Sequence, residues 1–275
     1  MKKERKNIKF ILLTLVCFTS ISILSAAPTR IMPLGDSITY DARYEETRSH
    51  SVRTGYRSHL YHKLVEAKYD VNFVGSRIAG EAITPSFDPD NEGHPGWTSF
   101  ELAEETYTFM TQSNPDIVLL HIGTNDLTST TASGVNAALN EIDYYEQKSG
   151  RTVQVIVALI IDRQIHDGRI PSFNTRLQEM LAKRMINGDN LIMVDMYSGA
   201  GFTSDDYIDN THPNDAGYSK MADVWFDALM QPYTPELYTF ASTIVDSSYV
   251  KSQHVNETEH SVTIITEVPN SGINF

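Results

Sequence analysis

The feature that most restricts the fold is an alternation. Short, almost wholly apolar runs recur between longer segments whose apolar residues stand three or four apart. The runs are Arg30–Leu34, Val71–Val74, Ile117–Ile122, Val153–Ile161 and Leu191–Val194. They lack the polar/apolar alternation of a strand with one wet face, so each must be covered on both sides. The intervening segments Tyr56–Tyr69, Ser99–Thr111, Val135–Lys148, Phe173–Ile186 and Asn214–Met230 carry helical spacing. Strand, helix and strand in this order predict an α/β domain with a central parallel sheet and helices on both faces.

This pattern runs from residue 28 to 230, which is read as one domain. Pro232 and Pro235 end the last helix, and residues 231–275 form a C-terminal extension, β-like at Ser261–Val268 or else flexible. At the other end, Lys2, Lys3, Arg5, Lys6 and Lys9 precede the apolar run Phe10–Leu24, followed by Ser25-Ala26-Ala27. A basic start, a short apolar run and small residues make a secretory signal over residues 1–27. The run is short for a membrane helix, which needs about 20 residues. The expected location is therefore outside the cell or in the periplasm, with no membrane attachment after cleavage.

Charge and cysteine usage exclude several classes. The formal net charge of −13 argues against a nucleic-acid partner, because such binding relies on Lys and Arg displacing counterions. The single cysteine, Cys17, lies inside the signal run, so disulfide frameworks and paired-cysteine metal sites are out. The sequence also lacks GxSxG, GxxxxGK, GxGxxG and HExxH, which removes the nucleophile-elbow, P-loop, dinucleotide and zincin readings.

Four polar clusters remain, each at the end of a strand or just before the last helix. They are Gly35-Asp36-Ser37-Ile38-Thr39, Gly75, Gly123-Thr124-Asn125-Asp126 and Asp209-Asn210-Thr211-His212-Pro213. In open α/β sheets the ligand crevice lies beyond the carboxyl ends of the strands, so all four share one address. Ser37 has the hydroxyl of a nucleophile, which needs a base to take its proton; alone, it also suits a helix cap. His212 is kept out of helical backbone by Pro213. Asp209, three residues earlier, can accept from its Nδ1–H, giving a triad in the order Ser, Asp, His. The Ser37 N–H, the Gly75 N–H and the Asn125 amide can supply an oxyanion hole. A turn role would account for Asn125, or for His212 beside Asp209, taken singly.

These four blocks, in this order, resemble the SGNH (GDSL-type) esterase superfamily across residues 30–230. The resemblance implies a flavodoxin-like three-layer α/β/α sandwich, Ser37 as nucleophile, Gly75 and Asn125 in the oxyanion hole, Asp209–His212 as the base pair, and no organic cofactor. Arg30–Thr39, Gly55-Tyr56-Arg57, Asn72-Phe73-Val74-Gly75-Ser76 and Glu92-Gly93-His94-Pro95-Gly96-Trp97 look like carbohydrate esterase family 3, whose members deacetylate xylan. Two features depart from it: a long polar stretch at Asp41–Val52, and the C-terminal extension.

The expected activity is thus a secreted serine esterase acting on O-acetyl groups of a polysaccharide such as xylan. His94, Trp97 and Arg57 are substrate-binding candidates, Trp97 by stacking on a sugar ring; a structural turn role for His94 and packing of Trp97 on the body are the alternatives. Helix capping is the expected role of Asp36. His121 reads as a satisfied core histidine. The acidic loop Asp205, Asp206, Asp209 and Asp215 reads as solvated rather than as a Ca²⁺ site. Arg43, Arg48, Arg53 and Arg57 cluster near Ser37 and could bind a carboxylated sugar, with ion pairs to the acidic surface the simpler use. A lysophospholipase or thioesterase on the same scaffold, and a non-catalytic carbohydrate-binding protein, are the alternatives.

Overall fold

The computed structural model describes residues 27–128 and 131–230, with the backbone of 249–256 and 261–267. Residues 1–26 of the expected secretory segment, and the rest of the stretch after residue 230, lie outside the described residues. Among the described residues, no helix is long and apolar enough to cross a membrane.

The chain folds as a three-layer α/β/α sandwich. Its helices are α1 (Ser37–Tyr40), α2 (Gly55–Glu66), α3 (Ser99–Ser113), α4 (Ser133–Ser149), α5 (Arg169–Ile186) and α6 (Asp215–Met230). The sheet contains β1 (Thr29–Gly35), β2 (Val71–Phe73), β3 (Arg77–Ile78), β4 (Asp90–Gly93), β5 (Ile117–His121), β6 (Gln154–Ala158) and β7 (Leu191–Val194). The order is β3-β4-β1-β5-β6-β7, and β2 also pairs with β1. All five apolar runs are strands of this sheet and pair in parallel.

Strand parity explains the two cores. Met32, Leu34, Val118, Leu120, Val155 and Val157 point to one face, where they meet Leu102, Leu139, Phe173 and Leu177 from α3, α4 and α5. Ile31, Ile117, Leu119, Ile156 and Ala158 point to the other, against Tyr56, Leu60, Met221 and Trp225 from α2 and α6. Successive strand side chains face opposite sides, so a strand apolar at every position serves both layers. Each large apolar side chain fully buried this way contributes about 1.5–3 kcal/mol.

Two strands carry no apolar signature. β4 reads Asp-Asn-Glu-Gly, yet Asn91, Glu92 and Gly93 are buried. It pairs with the C-terminal end of β1 through Leu34 and Gly35, while β2 pairs with the other end through Thr29–Ile31. β3 runs antiparallel to β4, which makes the sheet mixed at that edge. The link from β3 to β4 is too short for a crossover helix, so the chain can only fold back.

Helix α3 begins with a capping box: Thr98 accepts from the Glu101 N–H, and Glu101 accepts from that of Thr98. Beyond residue 230, β8 (Tyr249–Asn256) and β9 (Ser261–Glu267) form an antiparallel pair, with a register shift between Val250 and Ser252. The run expected at Ser261–Val268 is therefore strand from Ser261 to Glu267.

Candidate active site

The chain reverses its direction of winding at β1: β2 and β4 lie on one side of it and β5 on the other. In sheets of this kind that switch point opens a crevice at the strand ends. Ser37 follows β1 there, Gly75 follows β2, and Asn125 follows β5.

Ser37 is the first residue of α1, and Asp36 caps that helix by accepting the Ile38 N–H at 2.9 Å. The turn needs Gly35. A Cβ at that position would sit 2.3 Å from the His121 carbonyl oxygen, so any side chain would force β1 and β5 apart. Asp36 is fully buried, and burial pushes its carboxyl up to about 7.

The Ser37 hydroxyl lies 2.9 Å from His212 Nε2. On the far side of the ring, His212 Nδ1 lies 3.0 and 2.9 Å from the two Asp209 carboxylate oxygens. Asp209 also accepts the backbone N–H groups of Thr211 at 2.7 Å and His212 at 2.8 Å. Burial pushes the Asp209 carboxyl up, but these donors more than offset it and hold it below its ordinary value. A bridge between Tyr207 and Pro213 closes the base of this loop. Ser37 is thus in direct hydrogen-bond contact with the histidine of a His–Asp pair, 175 residues further along the chain.

The flanking residues are fixed by other means. Gly75 packs against β4 so closely that a Cβ would lie 2.1 Å from the Asn91 carbonyl oxygen. Asn125 donates one amide N–H to the Trp97 carbonyl at 2.8 Å. Its neighbour Asp126 is buried and accepts the Ser99 N–H at 3.0 Å and the Ser99 hydroxyl at 2.8 Å, tying the loop to the start of α3. A cavity of about 140 Å³ opens beside His212, lined by Asp41, Arg43, Thr54, Ile208 and Asn214 among others. The polar stretch Asp41–Val52 supplies part of that wall.

Residues 34–220 match the GDSL-like lipase/acylhydrolase family. The chain belongs to that family. It is related to the carbohydrate esterases of family 3. The family 3 carbohydrate esterase of Clostridium thermocellum superposes with a TM-score of 0.61 at 28% identity, covering 73% of this chain and 94% of that one. A family 3 carbohydrate esterase from Talaromyces cellulolyticus gives 0.60 at 27% identity, covering 74% and 97%. A multidomain esterase of Ruminococcus flavefaciens is 27% identical over 249 residues, covering 77% of this chain. The chain spans 31% of that relative's length.

Within this GDSL-like fold, several expected roles change. Arg57 is wholly buried and donates to the carbonyls of Thr39, Ala79, Pro89, Tyr40 and Arg53. Those contacts engage the whole guanidinium and leave it nothing to offer a substrate. His94 is also buried. Its Nε2 lies 2.6 Å from Glu92, and its ring packs against both Trp97 at 4.0 Å and Phe109 at 4.9 Å. Trp97 is half-buried against the core formed with α3, α4 and α5. His121 is buried as expected, but neither ring nitrogen meets a protein partner among the described residues. Burial pushes its pKa down to about 4. Arg48 pairs with Asp41 and Glu46, in line with the simpler reading of the arginine cluster. In the acidic loop, Asp206 meets Lys220 and Asp215 meets His59.

Glu92 was not singled out by charge or spacing. It is a fully buried carboxylate on β4 that accepts from both the N–H and the hydroxyl of Ser76. The only sequence signal was its place in the Glu92–Trp97 block.

Proposed function

We propose that the protein is a secreted serine esterase that removes O-acetyl groups from a polysaccharide such as xylan. The observation that carries this reading is the 2.9 Å contact between the Ser37 hydroxyl and His212 Nε2, with Asp209 bonded to Nδ1 behind it. A hydroxyl so placed can lose its proton as it attacks a carbonyl carbon.

In this mechanism Ser37 Oγ attacks the acetyl carbonyl and His212 takes the hydroxyl proton. Asp209 holds the ring with Nε2 free and stabilises the imidazolium. Negative charge grows on the carbonyl oxygen, which the Ser37 N–H, the Gly75 N–H and the second amide N–H of Asn125 receive. The tetrahedral adduct collapses, and His212 gives its proton to the departing sugar oxygen. Water then repeats the cycle on the acetyl-enzyme and releases acetate. No step requires a cofactor or a metal.

The sugar leaves on the His212 side, where the cavity walled by Asp41, Arg43 and Asn214 supplies mixed donors and acceptors suited to hydroxyl groups. The family 3 carbohydrate esterases among the structural relatives support the carbohydrate class. A structure named as an acetyl esterase mutant with acetate ion, 27% identical with a TM-score of 0.59, supports the acetyl group. The test is acetate release from acetylated xylan, other acetylated glycans and a series of long-chain esters. Preference for acetylated xylan is expected. Preference for long acyl chains would reverse the assignment toward a lysophospholipase or thioesterase.

A further inference from the structure

Glu92 is one of several buried carboxylates that the proposed mechanism leaves unused, and its contacts lead toward both flanks of the nucleophile. Glu92 is 0% exposed. One carboxylate oxygen accepts the Ser76 N–H at 2.6 Å; the other accepts the Ser76 hydroxyl at 2.7 Å and lies 2.6 Å from His94 Nε2. An apolar residue would fill such a place at less cost, since a buried charge must recover its lost hydration through every contact it makes. Stability alone is therefore a poor reason for Glu92.

Its backbone adds a further link. Glu92 pairs with Leu34 and Gly93 with Gly35, and the His94 N–H donates to the Gly35 carbonyl at 2.8 Å. The strand carrying Glu92 is thus fixed to the strand that delivers Ser37. From there the side chain reaches Ser76, the residue after Gly75. Through His94 it also reaches Trp97: the two rings stack at 4.0 Å, and the Trp97 N–H donates to the His94 carbonyl at 3.1 Å. The Trp97 carbonyl in turn holds the Asn125 amide at 2.8 Å.

We propose that Glu92 is a positioning residue that sets both outer donors of the oxyanion hole, Gly75 through Ser76 and Asn125 through the His94–Trp97 stack. The proposal rests on the reading of Gly75 and Asn125 as oxyanion donors. It gives the Glu92–Trp97 block a role in aiming donors at the reacting carbonyl rather than in touching the sugar. Donor alignment acts when charge develops, so losing it lowers kcat and leaves KM in place.

The test is a cycle of wild type, Glu92→Gln, Asn125→Ala and the double variant, assayed on p-nitrophenyl acetate, with the melting temperature of each. In Glu92→Gln an amide nitrogen replaces an oxygen that now faces donors, so one contact is lost and the donors shift. The expected result is a kcat lowered about tenfold with KM nearly unchanged, as small misplacements at a reacting centre produce. In the Asn125→Ala background the drop is expected to shrink to about threefold, because one of the two donors it sets is already gone.

Full kcat in Glu92→Gln beside a normal loss in Asn125→Ala overturns the positioning role alone. Equal drops in both backgrounds overturn the link to Asn125. Undiminished kcat in Asn125→Ala overturns the oxyanion reading itself and this role with it. If Glu92→Gln does not fold, Ser76→Ala decides. It removes one contact from an exposed residue, and a kcat lowered about two- to fivefold at wild-type melting temperature supports the role; an unchanged kcat overturns it.

Discussion

Asp209 grips His212 twice: one carboxylate oxygen accepts the backbone N–H of His212 at 2.8 Å, and both oxygens face its Nδ1. The first contact fixes the loop and the second fixes the ring. Asp209→Asn separates them. The amide oxygen can keep the backbone donors, but the amide nitrogen then points at Nδ1 and favours the tautomer with the proton on Nε2. That tautomer cannot accept from Ser37. The expected outcome is a fall in kcat on the order of 10²–10⁴-fold with little change in fold, checked by steady-state kinetics and circular dichroism.

Asn125 has one amide N–H on the Trp97 carbonyl, and the second is the one assigned to the oxyanion in the proposed mechanism. Asn125→Ala is expected to lower kcat by about 10²–10³-fold, the usual loss for one oxyanion donor. KM should stay close to wild type. A rise in KM alone would place the amide against the bound ester rather than the developing charge.

Asp36 makes stability depend on pH. Its carboxyl is raised to about 7 by burial, so the folded protein binds its proton more tightly than the unfolded chain does. Folding is therefore least burdened by this group below about pH 4, and loses stability as pH rises toward 7. Asp36→Asn keeps an oxygen for the Ile38 N–H without the charge. It is expected to be more stable than wild type at pH 8, by on the order of 4 kcal/mol, because each tenfold difference in proton affinity between folded and unfolded chain is worth about 1.4 kcal/mol and the two differ by about three such steps. The two proteins should converge near pH 4. Urea unfolding at both pH values checks this.

Arg57 supports the polypeptide rather than the substrate. Arg57→Leu strands buried carbonyls of Thr39 and Ala79, each costing about 1–3 kcal/mol, and is expected to abolish stable folding. The milder Arg57→Lys keeps the charge but not the fork of donors. Its melting temperature should fall while KM for acetylated oligosaccharide stays unchanged. A raised KM at wild-type stability would return Arg57 to the substrate.

Much of the fold was legible because apolar patterning reports burial directly. The runs at Ile117–Ile122 and Leu191–Val194 could only be strands covered on both faces, and they are. Strand β4 was not legible, because Asp-Asn-Glu-Gly carries no apolar period and its burial comes from pairing with the end of β1. The burial of His94 and Arg57 was not legible for the same reason. Polar side chains in a motif look exposed until neighbouring elements close over them.

The sequence by itself determined the layers, the parallel direction of the principal strands, and the short blocks carrying Ser37, Gly75, Asn125 and His212. Those follow from local chemistry: side-chain period, turn residues, and a proline beside a histidine. Only the tertiary structure decided that the Ser37 hydroxyl meets the His212 ring, that Arg57 is spent on backbone carbonyls, and that Glu92 lies buried behind Ser76. Such relations join residues distant along the chain, and their energies depend on which polar groups lose water when the layers pack, a quantity no local pattern encodes.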